Sequence, residues 1–356
     1  MILALSRYTL GMVGTRRSAA GLLLLVAAVV LGTLAAFAGS YPSLLRGWLL
    51  GFAIWSCAPI GSMTLLLIHR LTGGRWGYAI APVLRPLAAM MPLVAIAFVP
   101  VLAGLHAIYP WAADPGQISP DVARWYLSEP SFILRAVIAL VGWSVLGVTF
   151  ALELGGRLLA ALGLAFFGLM ISLVAVDWYL SIEPHYVATA FASMIAIQQL
   201  LAALVVAAAL SPPDLDGKAA SDVAGLVIAT LLGVVYLEYM TYVVAWYGDL
   251  PHKAAWFLKR STFGWTLTLV FAFVVGAVLP FAMLLLKSVR SSRFGLRVTG
   301  LLLLTGTALH LTWLLVPAFA FQGLVIATGA ALLILLTVIT VLLAGSSAAA
   351  EARHAQ

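Results

Sequence analysis

Long runs of apolar residues, separated by short polar connections, make up most of the chain. Each run is close to the roughly 20 mainly apolar residues that an α-helix needs to cross a bilayer. The alternation of polar and apolar residues over about ten positions that marks a membrane β-strand is not visible. The pattern predicts an all-α polytopic membrane protein with about ten transmembrane helices, at 18–38, 44–69, 87–109, 131–153, 157–178, 186–210, 222–247, 264–286, 297–316 and 320–344.

The connections between these spans are short, so we predict one transmembrane domain over residues 1–345 and a short disordered cytoplasmic tail at 346–356. The composition agrees with this prediction, because 64% of the residues are hydrophobic, 9% are charged and the mean hydropathy is +1.12. Water-soluble domains carry about 25% charged residues. A water-soluble globular protein is therefore excluded.

The basic residues divide unequally between the two sides of the predicted membrane. If the N-terminus is cytoplasmic, 13 of the 19 Lys and Arg residues lie on the cytoplasmic side. The other side keeps Arg46, Arg124, Arg135, Lys253, Lys259 and Arg260. This split follows the positive-inside rule and predicts that both termini are cytoplasmic. It also accounts for the net charge of +7 without a nucleic-acid partner.

Residues that would hold a redox cofactor are scarce. The single cysteine, Cys57, can supply neither a disulfide within the chain nor an iron–sulfur cluster, and no C-x-x-C-H run is present for covalent haem. Haem held across a membrane needs facing histidines from two helices, whereas only His310 lies clearly in mid-span. We therefore predict no cofactor and no metal site.

The seventh predicted span carries ionisable groups at helical spacing. Glu238, Tyr242, Ala245 and Asp249 fall on one face. Because charge is costly at membrane depth, Glu238 should face protein or a water-filled cavity rather than lipid. Two interpretations stay open: a proton relay that includes Tyr242, and a neutral carboxylic acid hydrogen-bonded to a neighbouring helix. His310 in the ninth span is likewise either a proton carrier or a buried neutral histidine.

The connection between the fifth and sixth predicted spans holds the densest set of polar and aromatic side chains. Pro184 predicts that the preceding helix ends near Ile182. Asp177 is a further proton-path candidate at the rim of the membrane. We expect the residues around it to form a polar and aromatic outer edge that binds a neighbouring subunit or water; they are Trp178, Ser181, Glu183, His185 and, from the seventh span, Asp249.

Three stretches of the chain resemble one family. The run D-W-Y-L-S-I-E-P-H-Y-V-A-T-A-F at 177–191 resembles D-W-x-M-S-L-E-P-H-W-x-S-T-x-F of the ActF-type membrane subunit of alternative complex III, a bacterial quinol:electron-acceptor oxidoreductase. I-H-R-L-T-G-G-R-W at 68–76 is similar to that family's I-H-x-L-T-G-A-R-W. Y-M-T-Y-V-V-A-W-Y-G-D-L-P at 239–251 is similar to its F-S-Q-Y-x-L-I-W-Y-x-N-I-P, and Trp256, Arg260, Gly264 and Trp265 continue in step.

The chain also departs from the family pattern, so it resembles a divergent member. The family usually has Glu-Glu where this chain has His252-Lys253, and Ser-Gln where it has Met240-Thr241. The Asp of the family's D-x-Y-W motif aligns with His310, and Glu238 stands where an apolar residue is more common.

The resemblance implies a fold of ten spans, with two four-helix bundles and two peripheral helices, related to the NrfD-type membrane anchors. It implies a subunit without its own redox cofactor in the bacterial cytoplasmic membrane, where it is structural and conducts protons. The partners that it implies are an NrfD-type quinol-binding subunit, cytochrome c and iron–sulfur subunits, and a terminal oxidase.

Two other functions stay open at this point. In the first, this chain is itself an NrfD-like anchor that binds quinol at the outer interface, where Asp177 or His185 accepts protons. In the second, it is a proton-coupled transporter. Inverted repeats with matching broken helices are typical of such transporters. Pro92, Pro100 and Pro280 interrupt spans here but form no matching pair.

Overall fold

Every regular element in the described part of the chain is helical. The structure is a computed structural model and describes residues 41–210 and 216–319, apart from the side chains of Tyr41 and His252. The main helices are α1 Tyr41–Thr72, α2 Arg75–Ala89, α3 Met91–Ala103, α4 Glu129–Ala151, α5 Arg157–Trp178, α6 Phe191–Ala209, α7 Gly217–Gly248, α8 Pro251–Lys259, α9 Phe263–Phe273, α10 Leu279–Leu285 and α11 Arg293–Leu315. The π-helical segment Val274–Val278 joins α9 to α10. Shorter helical turns lie at Leu105–Ile108, Pro110–Ala113, Pro115–Gln117, Pro120–Trp125, Leu180–Ile182, Lys287–Arg290 and Val316–Ala318.

Among residues 41–210 and 216–319, seven helices are long and apolar enough to cross a membrane, and α2 with α3 forms a bent pair that can serve as an eighth span. Each of these eight corresponds to one predicted span, which confirms a multi-pass helical membrane protein. The predicted spans at 18–38 and 320–344, and the tail at 346–356, lie outside the described residues. The count of about ten is therefore not confirmed.

The prediction of a single helix over 87–109 for the third span is wrong. Helix formation begins much earlier, at Arg75, and the chain bends by 40° between α2 and α3. Met90 lies at the break and Pro92 follows it within the first turn of α3. Proline lacks the N–H that would continue the hydrogen-bond ladder, so the two helices meet at an angle.

The chain divides into two compact units, one of Met1–Trp55 with Phe321–Gln356 and one of Ser56–Ala320. The described part of the first unit is 41–55, the N-terminal half of α1. Of the described residues, the second unit holds the C-terminal half of α1 and helices α2 to α11. The prediction of one domain over 1–345 stays a prediction.

Within the second unit, α6 is the central helix of the half that carries the site. It packs against α5, α7 and α11, and α11 in turn packs against α9 and the π-helical segment. Glycines permit the closest of these approaches. A Cβ atom at Gly306 of α11 would lie 2.1 Å from the Cα atom of Gly276, and one at Gly61 of α1 would lie 1.9 Å from the carbonyl oxygen of Gln199. Small residues let helix backbones approach in this way inside a membrane.

Candidate functional site

A cavity of about 1040 Å³ lies among α6, α7, α8, α9 and α11. We call it the Glu238 cavity. It extends from Asp249 and Arg260, at the ends of α7 and α8, to Gly276 in the π-helical segment. The residues predicted to share one face of the seventh span all line it: Glu238, Tyr242, Ala245 and Asp249. Helical periodicity alone was therefore sufficient to predict this wall of the site.

Glu238 and His310 form the polar centre of the cavity. Nε2 of His310 lies 3.1 Å from Oε1 of Glu238, and the two side chains are 12% and 25% exposed. The amide nitrogen of Gln198 lies 3.2 Å from Nδ1 of His310. Nε2 forms no hydrogen bond among the described residues, so the two groups are in close ion-pair contact. Transfer of the carboxyl proton to Nε2 requires the tautomer that carries its hydrogen on Nδ1, with the Gln198 amide turned so that its oxygen accepts from Nδ1.

Two tyrosines extend the polar character of α7 along the cavity wall. Tyr239 and Tyr242 are both exposed, and the ring of Tyr242 packs against Trp246 and Phe257 at centroid distances of 5.8 and 5.6 Å. Among the described residues, neither phenol hydroxyl has a hydrogen-bond partner. Tyr242 thus shares the cavity with Glu238, as predicted, but no direct bond joins the two side chains.

A buried arginine closes the end of the cavity. The side chain of Arg260 is 1% exposed and contacts Glu183 at 2.5 Å, while Lys259 binds the other carboxylate oxygen at 3.0 Å. Arg260 also donates to the carbonyl oxygens of Trp256 and Leu314, at 3.1 and 2.8 Å. Its guanidinium lies 3.6 Å from the centroid of the Trp256 ring. Burial lowers the pKa of Arg260, and the Glu183 carboxylate opposes this effect.

Tyr186 packs on Trp256, the same ring that the Arg260 guanidinium contacts. Its ring stacks on Trp256 at 4.3 Å with an interplanar angle of 13°. Burial, followed by the negative charge of Glu238, raises the pKa of Tyr186 to about 12, so the phenol stays protonated at neutral pH. Two residues of the motif at 177–191, Glu183 and Tyr186, are thereby close to the cavity. Sequence reasoning did not assign Tyr186 to the site.

Asp177, the remaining proton-path candidate, lies elsewhere. Its side chain is 0% exposed and binds Arg135 through two hydrogen bonds, Nε to Oδ2 at 2.6 Å and Nη2 to Oδ1 at 3.0 Å. Arg135 also donates to the carbonyl oxygen of Tyr126 at 2.9 Å and lies 4.2 Å from the centroid of its ring. Asp177 is not among the residues that line the Glu238 cavity. The structure therefore does not join Asp177 to Glu238, Tyr242 and His310.

The predicted outer edge is only partly at the surface. The helix ends as predicted, because α5 stops at Trp178 and the turn Leu180–Ile182 precedes Pro184. His185 and Asp249 are exposed and Glu183 is half-buried. Trp178 and Ser181, in contrast, are buried within the chain.

Trp178 and Ser181 therefore belong to the packed interior and not to the exposed edge, and packing explains why. Trp178 lies 4.3 Å from Phe98 and 6.1 Å from Trp143, measured between ring centroids. The hydroxyl of Ser181 donates to the carbonyl oxygen of Asp177 at 2.6 Å and accepts from the indole N–H of Trp111 at 3.1 Å. These contacts hold the end of α5 in place. The expectation that the outer edge binds a neighbouring subunit or water stays a prediction.

Within residues 41–210 and 216–319, no group of three or more His, Cys, Asp or Glu side chains is arranged to hold a metal ion. No family model matches the sequence, and a search of curated proteins found no match. The resemblance to the ActF-type subunit therefore stays a prediction that depends on the three stretches quoted above.

Proposed function

We propose that this chain is a membrane subunit of a quinol-oxidising respiratory complex of the alternative complex III type, and that protons pass through it at the Glu238 cavity. The subunit lies in the bacterial cytoplasmic membrane with both termini in the cytoplasm. Its ten spans form two four-helix bundles and two peripheral helices. An NrfD-type quinol-binding subunit, cytochrome c and iron–sulfur subunits and a terminal oxidase are its partners, and they supply the redox centres.

The observation that supports the proton-conducting role is the contact between Glu238 and His310. Ionisable groups inside a membrane are costly, and they mark proton relays when they face a cavity. The proton of this pair can lie on the carboxyl group with a neutral imidazole, or on the imidazole with a carboxylate. Both arrangements have no net charge, so transfer between them adds no unmatched charge to the membrane interior. The cavity extends from Glu238 along α7 to Asp249, which is exposed at the end of the helix.

The same two positions are those at which the chain departs from the pattern that it resembles. Glu238 replaces an apolar residue of the family pattern, and His310 replaces its Asp. The structure places the two side chains 3.1 Å apart. A buried carboxylate and an imidazole would each be costly alone, whereas together they match each other's charge. This contact gives the two departures a common physical explanation and supports a proton site specific to this divergent chain.

Composition of the native complex is the first test of the proposal. We expect the full chain, affinity-tagged and purified in mild detergent, to bring with it cytochrome c and iron–sulfur subunits, identified by mass spectrometry. Purification as a homogeneous single-chain protein that transports a solute against a proton gradient would favour the transporter instead.

Proton stoichiometry is the second test. Glu238→Gln preserves the shape of the side chain but removes its titratable proton, so we expect fewer protons moved per electron in vesicles that contain the complex. Glu129→Gln is the matched control, because Glu129 is half exposed, pairs with His106 at 3.1 Å and does not line the cavity. Equal proton yields in wild type and Glu238→Gln would leave a structural subunit without a proton path.

A further inference from the structure

The Glu238 cavity opens to the side of the chain, between α7 and α9. Four of its lining residues are about half exposed or more: Tyr239, Trp246, Val270 and Phe273. They lie on helices that are long and apolar enough to cross a membrane. When these helices span a bilayer as predicted, the opening faces its hydrocarbon. A molecule dissolved in the membrane can therefore reach Glu238 without first entering water.

The walls of the cavity are largely aromatic. Tyr239, Tyr242, Trp246, Phe257, Phe273 and Trp313 all line it. Such rings offer flat faces for offset or edge-to-face contacts with another ring. Pockets that bind small molecules are typically about 300–1,000 Å³, apolar, and provided with few polar groups that fix the orientation of the ligand. The cavity, of about 1040 Å³, has the size and lining of such a site.

The polar groups at the centre of the cavity restrict the charge and the hydrogen-bonding groups of the ligand's head group. Two carboxylates line the cavity, Asp249 at its end and Glu238 at its centre. The described polar contacts of Glu238 are limited to His310 on one carboxylate oxygen. A ligand carboxylate or phosphate would be repelled by it. A hydroxyl group can donate to the carboxylate, and the cavity also holds the hydroxyls of Tyr239 and Tyr242, whose hydrogens are unused among the described residues.

We propose that the Glu238 cavity binds a neutral, membrane-soluble molecule with a hydroxylated aromatic head, whose hydroxyl group donates to Glu238 and whose ring lies among the aromatic side chains of α7, α8 and α9. The apolar tail of the bound molecule extends between α7 and α9 into the bilayer. A quinol and a long-chain phenol share this chemistry. The inference rests on the proposed function, which takes the Glu238–His310 pair as the functional centre of the cavity. Its test measures ligand binding and does not measure proton movement.

Two local features show how the fold keeps this space open. The π-helical segment Val274–Val278 lies in the wall, where Gly276 and Ala277 line the cavity. Single π-helical turns inside longer helices occur frequently at functional sites. Gly276 meets Gly306 of α11 so closely that a Cβ atom on either would contact the other's backbone. This backbone contact fixes the π-helical segment against α11 in the wall of the cavity, which both glycines line.

Photolabelling in membranes that contain the full chain with its native partners tests the proposal. The probe is a decyl-tailed benzoquinol that carries an azide on its ring. We expect it to label peptides from 234–249 and 254–273 of this chain. Decylbenzoquinol or 4-decylphenol should compete with the label, whereas decylbenzene, which has no hydroxyl, should not. Equal competition by decylbenzene, or label confined to other subunits, would overturn the proposal.

Three variants separate the ligand site from the proton path. Glu238→Met removes the acceptor and should weaken competition by the phenol about tenfold or more, as expected for loss of a hydrogen bond to a charged group. Ala254→Trp adds a large side chain at the cavity wall and should block labelling while leaving Glu238 and His310 in place. Glu129→Gln is again the control and should label as wild type.

Glu238→Gln distinguishes failure of the two hypotheses, because the amide still accepts a hydrogen bond but holds no titratable proton. We expect this variant to keep ligand binding within about threefold and to lose proton yield. If Glu238→Gln lowers the proton yield as expected but the wild-type chain shows no specific labelling, the ligand site is contradicted and the proton path is not. If Ala254→Trp instead releases a subunit from the complex and the probe labels nothing in this chain, the cavity is a contact between subunits.

Discussion

At the scale of single residues, the pairing of Asp177 with Arg135 stabilises the buried end of α5. A carboxylate that is 0% exposed is tolerated because the guanidinium matches its charge through two hydrogen bonds. Removal of one member of a buried pair costs about 3–5 kcal/mol, because the other charge stays buried without a partner.

Asp177→Asn should therefore lower the free energy of unfolding by about 3–5 kcal/mol, measured by denaturant titration of the purified protein in detergent. Asp222→Asn is the matched control. Asp222 pairs with Arg75 at 3.3 Å, and both side chains are well exposed, so its loss should change stability by about 1 kcal/mol or less. Similar small effects for both variants would show that Arg135 finds another partner.

Trp178 offers a second prediction at this scale, because its burial converts an expected contact residue into a core residue. Trp178→Ala should reduce the unfolding free energy by about 3–5 kcal/mol, through lost contact area and the cavity that remains. Trp125→Ala is the comparison, since Trp125 is exposed and should be nearly neutral. A Trp178→Ala protein of normal stability that loses its partners would restore the interface hypothesis.

At the scale of elements, the close contact between the π-helical segment and α11 depends on two glycines. Gly306→Ala would place a Cβ atom 2.1 Å from the Cα atom of Gly276, so backbone must shift. We expect a loss of about 1–3 kcal/mol, together with reduced photolabelling of the cavity. Gly168→Ala in α5 should have the opposite sign, because its Cβ meets open space and alanine favours a helix. Thermal unfolding of both variants in the same detergent makes the comparison.

A helix can be predicted from sequence when the residue pattern that marks it lies within the helix itself. The eight predicted spans within the described residues follow from apolar length alone. The start of α2 was missed because Arg75 and Arg85 interrupt the apolar pattern, yet Arg85 forms an ion pair with Glu153 and Arg75 with Asp222. Those pairings join residues far apart in the chain, so no local pattern could reveal them.

The candidate site shows the same division. Helical spacing placed Glu238, Tyr242 and Asp249 on one wall because that relation lies within a single helix. The contact of Glu238 with His310 and that of Asp177 with Arg135 depend on how separate helices are rotated about their axes. Asp177 and Trp178 are polar and aromatic at a helix end, a pattern typical of a membrane interface. Both side chains point inward because of the way in which the neighbouring helices pack against this end of α5.

At the scale of the whole molecule, the proposed topology can be measured directly. We expect tags at residues 1 and 356 to report the cytoplasm, and a tag near Asp114 to report the opposite side, because this arrangement keeps most Lys and Arg residues on the cytoplasmic side. Reporter fusions with opposite compartment requirements provide the measurement at each position. Termini on opposite sides would require an odd number of spans and would contradict the ten-span fold.

The Arg135–Asp177 pair also constrains how the chain enters the bilayer during synthesis. Arg135 is on α4 and Asp177 on α5, two consecutive helices joined by a connection of only a few residues. A helix that entered the hydrocarbon alone would carry its charge unmatched. If α4 waits in the insertion machinery until α5 has been made, the hairpin leaves as a unit with its charges already neutralised. Translation through residue 178 is then the point at which this part of the protein becomes committed to the membrane.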